Sequence, residues 1–191
     1  MGQRWAGDSL ISDKLALQIR GLGFLYEPNR PPVLTDIDLE FVEGEFALIC
    51  GPTGFGKSSL LKAINGLAPE HTGGFLSGSV RARDLSDDTW IETVGKRPSE
   101  LARLLGYVNQ NPERAFVAET VEQEIAFGME QLGFEPTEMR ARVEGISAQL
   151  GVTELLAREP SGLSSGQAQR VAIASALAAG QRILLLDEPT S

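Results

Sequence analysis

The eight residues GPTGFGKS, Gly51 to Ser58, decide how the rest of this sequence is interpreted. They match the pattern G-x-x-x-x-G-K-S/T at every position, with the apolar run FALIC (46–50) before them and a helical pattern over roughly 57–67 after them. Glycines let such a loop fold into a nest of backbone N–H groups, and a helix N-terminus adds a dipole that favours anions. A chance glycine turn is the alternative, but it does not explain why motif and surroundings agree. We therefore predict a phosphate-binding loop.

Two acidic residues late in the sequence fit the same chemistry. The apolar run in ILLLDEPTS (183–191) ends in Asp187 and Glu188. Beside a phosphate-binding loop, Lys57 is expected to reach the β- and γ-phosphates of a nucleotide, while the Ser58 hydroxyl and the Asp187 carboxylate hold Mg²⁺. Glu188 is expected to act as general base or to orient the attacking water. Taken alone, Asp-Glu-Pro also fits a simple strand cap followed by a turn.

Composition limits the class of protein. The chain has 191 residues, of which 42% are apolar and 23% charged, as in one globular domain with a real core. The net charge of −9 argues against a general nucleic-acid or anionic-membrane surface. The single cysteine, Cys50, excludes an intrachain disulfide and suits a reducing compartment. Because no signal peptide and no apolar run of membrane-spanning length is present, we expect any membrane role to depend on partners.

The hydrophobic pattern predicts a mixed α/β fold. Strands are expected at 15–26, 34–41, 46–50, 74–83, 105–110 and 182–187, and FALIC reads as a strand inside a sheet that is covered on both faces. From about 119 to 157 the pattern is helical, with a capping box formed by Thr120 and Gln123. One helix is expected to begin at Pro136 and end at Gly151, and an apolar helix to stop at Gly180. Residues 1–13 read as a leader, 84–98 as a surface excursion, and Ser99 as the cap of a short helix.

The motifs together resemble those of one known family. LSSGQAQR (163–170), a short way before ILLLDEP, is similar to the signature motif of ATP-binding cassette (ABC) ATPases, and Gln110 stands where that family has its Q-loop. The resemblance covers residues 14–191. It implies a P-loop nucleotide hydrolase fold, with antiparallel N-terminal strands, parallel strands, and a helical subdomain at about 111–165 that carries the signature motif. It also implies ATP and Mg²⁺ as cofactors.

The resemblance assigns further roles. Tyr26 aligns with the aromatic residue that stacks on adenine, although an ordinary strand aromatic is the alternative; Gln110 would sense the γ-phosphate and Mg²⁺. Ser165 departs from the usual second glycine of the signature motif and is expected to be tolerated if its φ is negative.

The implied ATP-binding residues are Tyr26, Gly51, Pro52, Thr53, Gly54, Phe55, Gly56, Lys57, Ser58 and Ser59. The signature residues, acting on the ATP of a second domain, are Leu163, Ser164, Ser165, Gly166 and Gln167. The metal ligands are Ser58, Gln110 and Asp187, and the catalytic residues are Glu188 and Gln110.

A narrower resemblance concerns YVNQNPERAFVAETVEQEIAFG (107–128) and INGLAPEHTGG (64–74), which look like the ATPases of energy-coupling factor (ECF) transporters. The alternative for 107–128 is an ordinary amphipathic helix. The resemblance implies an importer of vitamins or metal ions at the cytoplasmic face of the membrane. Its expected partners are a second ABC ATPase domain, a transmembrane coupling protein and a substrate-binding membrane protein, with no nucleic acid and no direct membrane insertion.

The family pattern continues with a D-loop aspartate, a further strand and a switch histidine, and these are not found before residue 191. The one histidine, His71, lies too early and reads as a surface turn residue. We therefore expect an interrupted ABC ATPase whose 191 residues alone have little or no activity. A binding module that hydrolyses ATP poorly is an alternative. A non-transport ABC protein of translation or DNA repair is another, which the charge of −9 disfavours.

Overall fold

A computed structural model describes residues 14–84 and 86–189, so the leader predicted at 1–13 lies outside the described residues. The chain divides into two compact units, one ending at Pro98 and the other beginning at Ser99. Each unit is built around its own sheet, antiparallel in the first and parallel in the second. The mixture of antiparallel and parallel strands agrees with the predicted fold class. The helical subdomain at 111–165 stays a prediction.

The first unit contains a four-stranded antiparallel sheet in the order β2-β1-β3-β4. Its strands are β1 (Leu15–Leu25), β2 (Leu34–Val42), β3 (Phe75–Asp84) and β4 (Thr89–Glu92). Strand β1 buries Leu17 and Ile19, and then Leu22 and Phe24, because alternate residues point to the same face of a sheet. A register irregularity between Ile19 and Leu22 separates the two pairs. The strands predicted at 15–26, 34–41 and 74–83 are confirmed.

Strand β4 corrects the prediction that 84–98 is an irregular excursion. Its four residues pair with β3 from Arg81 to Asp84, and the chain then turns inward so that Thr93 is fully buried. So short a strand, flanked by polar residues, leaves almost no period-two signal in the sequence. The prediction failed because pairing with a neighbour, which the sequence alone does not show, holds this segment extended.

The helix after the glycine loop is shorter than predicted. Helix α1 (Lys57–Ile64) ends at Asn65, and Gly66, with φ of 72°, starts the four-residue helix α2 (Leu67–Glu70). Helix α1 buries Leu60, Ala63 and Ile64. The buried face fixes the rotation of the helix and with it the direction in which its first turn presents Lys57 and Ser58. His71 lies exposed in the following turn, as expected.

The predicted buried strand FALIC (46–50) is wrong for this structure. The segment forms no strand, and the side chains of Phe46 and Leu48 are 86% and 78% exposed. A fully apolar run becomes a strand only when neighbouring strands satisfy its backbone groups and cover its faces. None of the strands in 14–84 or 86–189 pairs with it, since the antiparallel sheet ends at β2. Ile49 instead borders an open cavity of about 530 Å³ beside β2 and the glycine loop.

The second unit combines a parallel strand pair with three long helices. Strands β5 (Leu105–Val108) and β6 (Ile183–Leu186) pair in register from Leu105 with Ile183 to Val108 with Leu186. The long helices are α4 (Val121–Gln131), α5 (Pro136–Gln149) and α6 (Ser165–Ala178), and the short helix α3 (Pro98–Leu101) begins one residue before the predicted cap Ser99. Short 3-10 turns occupy Pro112–Arg114, Thr153–Leu155 and Pro160–Gly162.

The three helices pack around one apolar cluster, to which α4 contributes the stripe Val121, Ile125 and Met129. These positions are four residues apart and therefore share one face of the helix. The predicted capping box at the start of α4 is confirmed: the Thr120 hydroxyl accepts from the Gln123 N–H, and the Gln123 side chain accepts from the Thr120 N–H. The predicted start of α5 at Pro136 is confirmed, and α5 and α6 end two residues before Gly151 and Gly180. Across the described residues, no helix combines the length and the apolar character needed to cross a bilayer.

The contrast between two phenylalanines tests the exposure of the FALIC segment. Phe24 is 1% exposed, whereas Phe46 is 86% exposed. We expect Phe24→Ala to lower the free energy of unfolding by about 3–5 kcal/mol, because it leaves a cavity in the sheet core. Phe46→Ala should change it by less than about 0.5 kcal/mol. Urea denaturation of both variants measures the difference, and equal losses would show that residues 46–50 are buried.

Candidate functional site

The glycine loop forms an exposed turn whose shape depends on two glycines. Gly54 and Gly56 have φ of 86° and 84°, the left-handed region that residues with a Cβ rarely adopt. A Cβ at Gly56 would also lie 2.9 Å from the carbonyl oxygen of Val33. Gly56 is the residue from which α1 starts, so this backbone directs the N-terminus of the helix towards the loop. A backbone of this form supplies N–H groups to an anion.

Lys57 crosses back over the loop. Its ammonium group donates hydrogen bonds to the carbonyl oxygens of Gly51, at 2.9 Å, and Pro52, at 3.0 Å. The two contacts hold the positive charge at the mouth of the loop, and phosphate oxygens are stronger acceptors than these neutral carbonyls. Ser58 follows in the first turn of α1. The loop therefore collects a cation, a hydroxyl and a helix N-terminus, which together suit a polyphosphate.

Tyr26 stands beside α1 and is partly exposed. Its hydroxyl lies 2.9 Å from the Ser59 hydroxyl, and its ring meets the buried ring of Phe24 edge-on at 4.7 Å between centroids. The two contacts fix the ring close to the helix that follows the glycine loop. A fixed aromatic ring that keeps an exposed surface is suited to stacking on a planar base.

The second unit brings the predicted acids together with the predicted Q-loop residue. Strands β5 and β6 run parallel, so their carboxyl ends lie at one edge, where the Asp187 N–H donates to the Val108 carbonyl at 2.9 Å. One residue on, the Glu188 carboxylate accepts a hydrogen bond of 2.7 Å from the Gln110 side-chain amide. Glu188 has φ of 49°, an uncommon conformation for a residue with a side chain and one that recurs at functional sites.

Asp187 itself is buried and contacts Tyr107, a residue not singled out from the sequence. The Tyr107 hydroxyl donates to Asp187 Oδ2 at 3.1 Å, and Asp187 is only 7% exposed. Burial of the phenol, together with the negative charge of Asp187 and this hydrogen bond, raises the pKa of Tyr107 above its ordinary value. Tyr107 therefore keeps its proton, and remains a hydrogen-bond donor, at a pH where an ordinary tyrosine begins to ionise.

The signature residues form the start of α6. Ser164 caps the helix by accepting from the Gln167 N–H, while the Gln167 side chain accepts from the Ser164 N–H at 2.9 Å. Ser164, Ser165 and Gly166 are exposed, and Leu163 packs on the helical core. Ser165 is in the first helical turn and its φ is not positive, so the condition for tolerating serine there is met. The exposed serines and backbone N–H groups suit an anion, whereas the Gln167 side chain serves the cap.

A groove opens between the residues that follow β5 and helices α4 and α6. Its volume is about 230 Å³. The lining is mostly small or apolar, with Phe127 partly exposed at its edge. Its polar groups include the buried Glu124 carboxylate, which accepts from the N–H groups of Val117 and Ala118, and the Asn109 side-chain oxygen, which has no hydrogen-bond partner among the described residues. The lining residues are Tyr107, Val108, Asn109, Pro112, Ala115, Phe116, Glu124, Phe127, Gly128, Ala172, Ser175, Ala176, Ala179 and Gln181.

The donor set agrees with Mg²⁺ that is held largely by a nucleotide. Within 14–84 and 86–189, no three His, Cys, Asp or Glu side chains form a metal cluster. Mg²⁺ usually keeps several waters and takes one or two protein oxygens besides substrate phosphates. In the first unit the Ser58 hydroxyl is a ligand of this kind, and in the second unit the Asp187 carboxylate and the Gln110 amide oxygen are. The chemistry of each set suits Mg²⁺ that is also bound by phosphate oxygens.

Comparison with known proteins identifies the family of the chain. The family profile described as ABC transporter matches residues 34–191. An ATP-binding protein of an ABC transporter from Streptomyces avermitilis is 44% identical over 177 residues, which is 92% of this chain and 30% of that protein. An energy-coupling factor transporter ATP-binding protein from Halalkalibacterium halodurans is 39% identical over 175 residues, again 92% of this chain and 59% of that protein. The chain belongs to the ABC transporter family.

A solved structure agrees with the fold. The structure of cbiO1 from Clostridium perfringens, part of the ABC transporter complex cbiONQ, matches with a TM-score of 0.76 and 29% identity over 93% of this chain and 67% of that one. The predicted P-loop α/β fold class and the resemblance to ECF transporter ATPases are confirmed. The chain spans between about a third and three fifths of the length of the two curated relatives.

Three residues of the second unit were missed from the sequence. Tyr107 and Asn109 had been treated only as part of a strand and its following loop, since their contacts depend on the register with β6 and on the packing of the helices. Glu124 carried a readable signal, because it lies three residues after Val121 on the apolar stripe of α4. An acid in such a stripe is usually buried with hydrogen-bond partners, as it is here.

The raised pKa of Tyr107 gives a pH dependence with a definite sign. Above about pH 10, tyrosine in the unfolded chain loses its proton while Tyr107 in the folded chain keeps it. The unfolded state then binds fewer protons, so the free energy of unfolding falls as the pH rises. At neutral pH we expect the free energy of unfolding of wild type to be about 1 kcal/mol higher than that of Tyr107→Phe. Above about pH 10 this difference should become smaller. Urea denaturation across this range measures it, and a constant margin would contradict the prediction.

Proposed function

We propose that this chain is the ATP-binding and ATP-hydrolysing part of an ECF-type importer, which takes up a vitamin or a metal ion. The observation that carries the proposal is the hydrogen bond of 2.7 Å between Gln110 and Glu188, beside the buried acid Asp187. It joins the Q-loop residue to the residue expected to act on water. The relative named as an energy-coupling factor transporter ATP-binding protein supports the ECF type.

Each end of the nucleotide has suitable residues. Tyr26 stacks on the base, and the backbone from Gly51 to Gly56 with Lys57 binds the phosphates. Ser58 and Asp187 hold Mg²⁺, which neutralises charge on the phosphate oxygens when it is bound. These groups position the nucleotide, and in phosphoryl transfer positioning and electrostatic stabilisation supply most of the catalysis.

Glu188 and Gln110 act on the water. The Glu188 carboxylate is the acceptor that can orient a water molecule or take its proton. The Gln110 amide donates to this carboxylate, so it fixes the orientation of Glu188 and links it to the segment that follows β5. Movement of that segment would change how Glu188 is aligned. Hydrolysis would in this way respond to a partner that contacts the Q-loop.

A second ABC ATPase domain completes the arrangement. The exposed start of α6 presents the hydroxyls of Ser164 and Ser165 and the backbone of Gly166. In the proposed dimer this helix N-terminus faces the γ-phosphate of the ATP that the other domain binds. Gln167 supports the geometry by capping the helix instead of contacting the phosphate itself.

The transmembrane coupling protein docks in the groove of the second unit. Small residues such as Gly128, Ala172 and Ala176 allow the backbone of a partner helix to approach closely, and Phe127 offers an apolar contact at the edge. Glu124 and Asn109 contribute hydrogen-bond acceptors, so a complementary segment brings donors. This contact places the ATPase at the cytoplasmic face of the membrane, while a separate membrane protein binds the transported substrate.

Two substitutions test the ATPase assignment. Lys57→Ala should weaken binding of a fluorescent ATP analogue by at least about 10-fold, because it removes a charged donor to phosphate. Lys62→Ala, at the other end of α1, is the matched control and should bind as wild type does. Glu188→Gln should keep its nucleotide affinity but lower phosphate release by about 100-fold or more, measured with the second ATPase domain and the coupling protein present.

Two outcomes would count against the assignment. Unchanged affinity in Lys57→Ala would reject the phosphate-binding role of the loop. Equal phosphate release by wild type and Glu188→Gln, with normal binding in both, would favour a module that binds nucleotide without hydrolysing it efficiently.

A third substitution tests the docking groove. Phe127→Asp places a charge on its apolar edge and should abolish association with the coupling protein of the same transporter, while ATP binding is retained. Phe75→Asp is the control, since Phe75 is also exposed but lies in β3 of the first unit. Co-purification after co-expression with the coupling protein measures association. If both variants associate as wild type does, the partner docks elsewhere.

A further inference from the structure

Tyr107 occupies a position that the proposed function has not yet used. It is the third residue of β5 and pairs with Leu185 of β6, two residues before Asp187. Because the strands are parallel and in register, its hydroxyl reaches Asp187 Oδ2 at 3.1 Å. The contact lies wholly within the second unit. A different register between β5 and β6 would place another side chain beside Asp187.

The hydrogen bond from Tyr107 restrains the orientation of the Asp187 carboxylate. The terminal torsion of an aspartate side chain is broad, so its carboxylate turns easily unless a neighbour fixes it. Asp187 is 7% exposed, and the hydrogen bond from Tyr107 to its Oδ2 restrains the rotation of the carboxylate. Groups that hydrogen-bond to metal-binding carboxylates fix the ligand geometry, and their loss typically lowers metal affinity by about 10- to 100-fold.

We propose that Tyr107 is a positioning residue that sets the orientation of the Asp187 carboxylate for Mg²⁺. The inference rests on the proposed function, because it takes Asp187 as the metal-binding acid. It extends that function by assigning a role to a side chain outside the glycine loop, the Q-loop glutamine and the acidic pair. In this proposal Tyr107 acts through its hydrogen bond to Asp187.

The hydroxyl of Tyr107 can be removed with little change in shape. Tyr107→Phe keeps the ring that lines the groove and deletes only the group that contacts Asp187. Ser175→Ala is the matched control, since Ser175 also lines the groove and loses a hydroxyl. That hydroxyl donates to the carbonyls of Val171 and Glu124 and does not contact Asp187.

The experiment measures metal dependence directly. For the full chain, binding of a fluorescent ATP analogue is titrated with Mg²⁺ at fixed nucleotide and, separately, with nucleotide in EDTA. We expect Tyr107→Phe to need about 10-fold more Mg²⁺ for half-maximal binding, with unchanged nucleotide affinity in EDTA. Ser175→Ala should follow wild type in both titrations. With Mn²⁺ in place of Mg²⁺, the electron paramagnetic resonance spectrum of the bound ion should change in Tyr107→Phe only.

The other outcomes overturn the inference in distinguishable ways. Superimposed Mg²⁺ titrations of Tyr107→Phe and wild type would show that the hydroxyl does not position Asp187. Weaker binding of Tyr107→Phe in EDTA as well would show a general structural role. If wild type binds nucleotide equally with Mg²⁺ and with EDTA, Asp187 is not the metal-binding acid, and the proposed function fails together with the inference.

Discussion

The parallel pairing of β5 with β6 is the constraint on which the acidic residues of the second unit depend. Four residue pairs hold the two strands in register, and the backbone contact from Asp187 to Val108 continues the ladder past the end of β6. Tyr107 and Gln110, which are three residues apart, therefore both reach the acidic pair. A slip of one residue would turn the Tyr107 side chain to the opposite face of the strand pair. The helical core of α4, α5 and α6 belongs to the same unit as this strand pair.

The glycine loop of the first unit depends on backbone shape more than on side-chain packing. Gly56 lies so close to Val33 that no larger residue fits, and its left-handed conformation is what allows α1 to begin there. Lys57 uses the loop carbonyls as acceptors, which keeps its charge at the loop instead of in solvent. The backbone conformation at Gly56 and the side chain of Lys57, which folds back over the loop, thus prepare the loop to bind an anion.

Features that depend on interactions between residues close in sequence are predicted correctly. The capping box at Thr120, the strand alternation of β1 and the glycine loop each depend on residues close in sequence, and each is found in the structure. The failures concern pairing between distant segments. FALIC has the composition of a buried strand, but no strand of the described residues pairs with it. Strand β4 has almost no strand-like pattern in its sequence, but it pairs with β3. Likewise, sequence motifs identify the acids and Gln110. The contact of Tyr107 with Asp187 depends on the register between β5 and β6, which the sequence alone does not show.

Tyr107 connects the groove of the second unit with the buried acid Asp187. Its hydroxyl contacts the buried acid, and its ring forms part of the groove wall. Binding free energies are reciprocal: whatever factor an occupant of the groove exerts on metal-nucleotide affinity, the metal-nucleotide complex exerts on the affinity of that occupant. Tyr107 lies in the four-residue strand β5 and borders both the groove and Asp187, so this strand links the two. Under the proposed function, the contact between Tyr107 and Asp187 carries this coupling within the second unit.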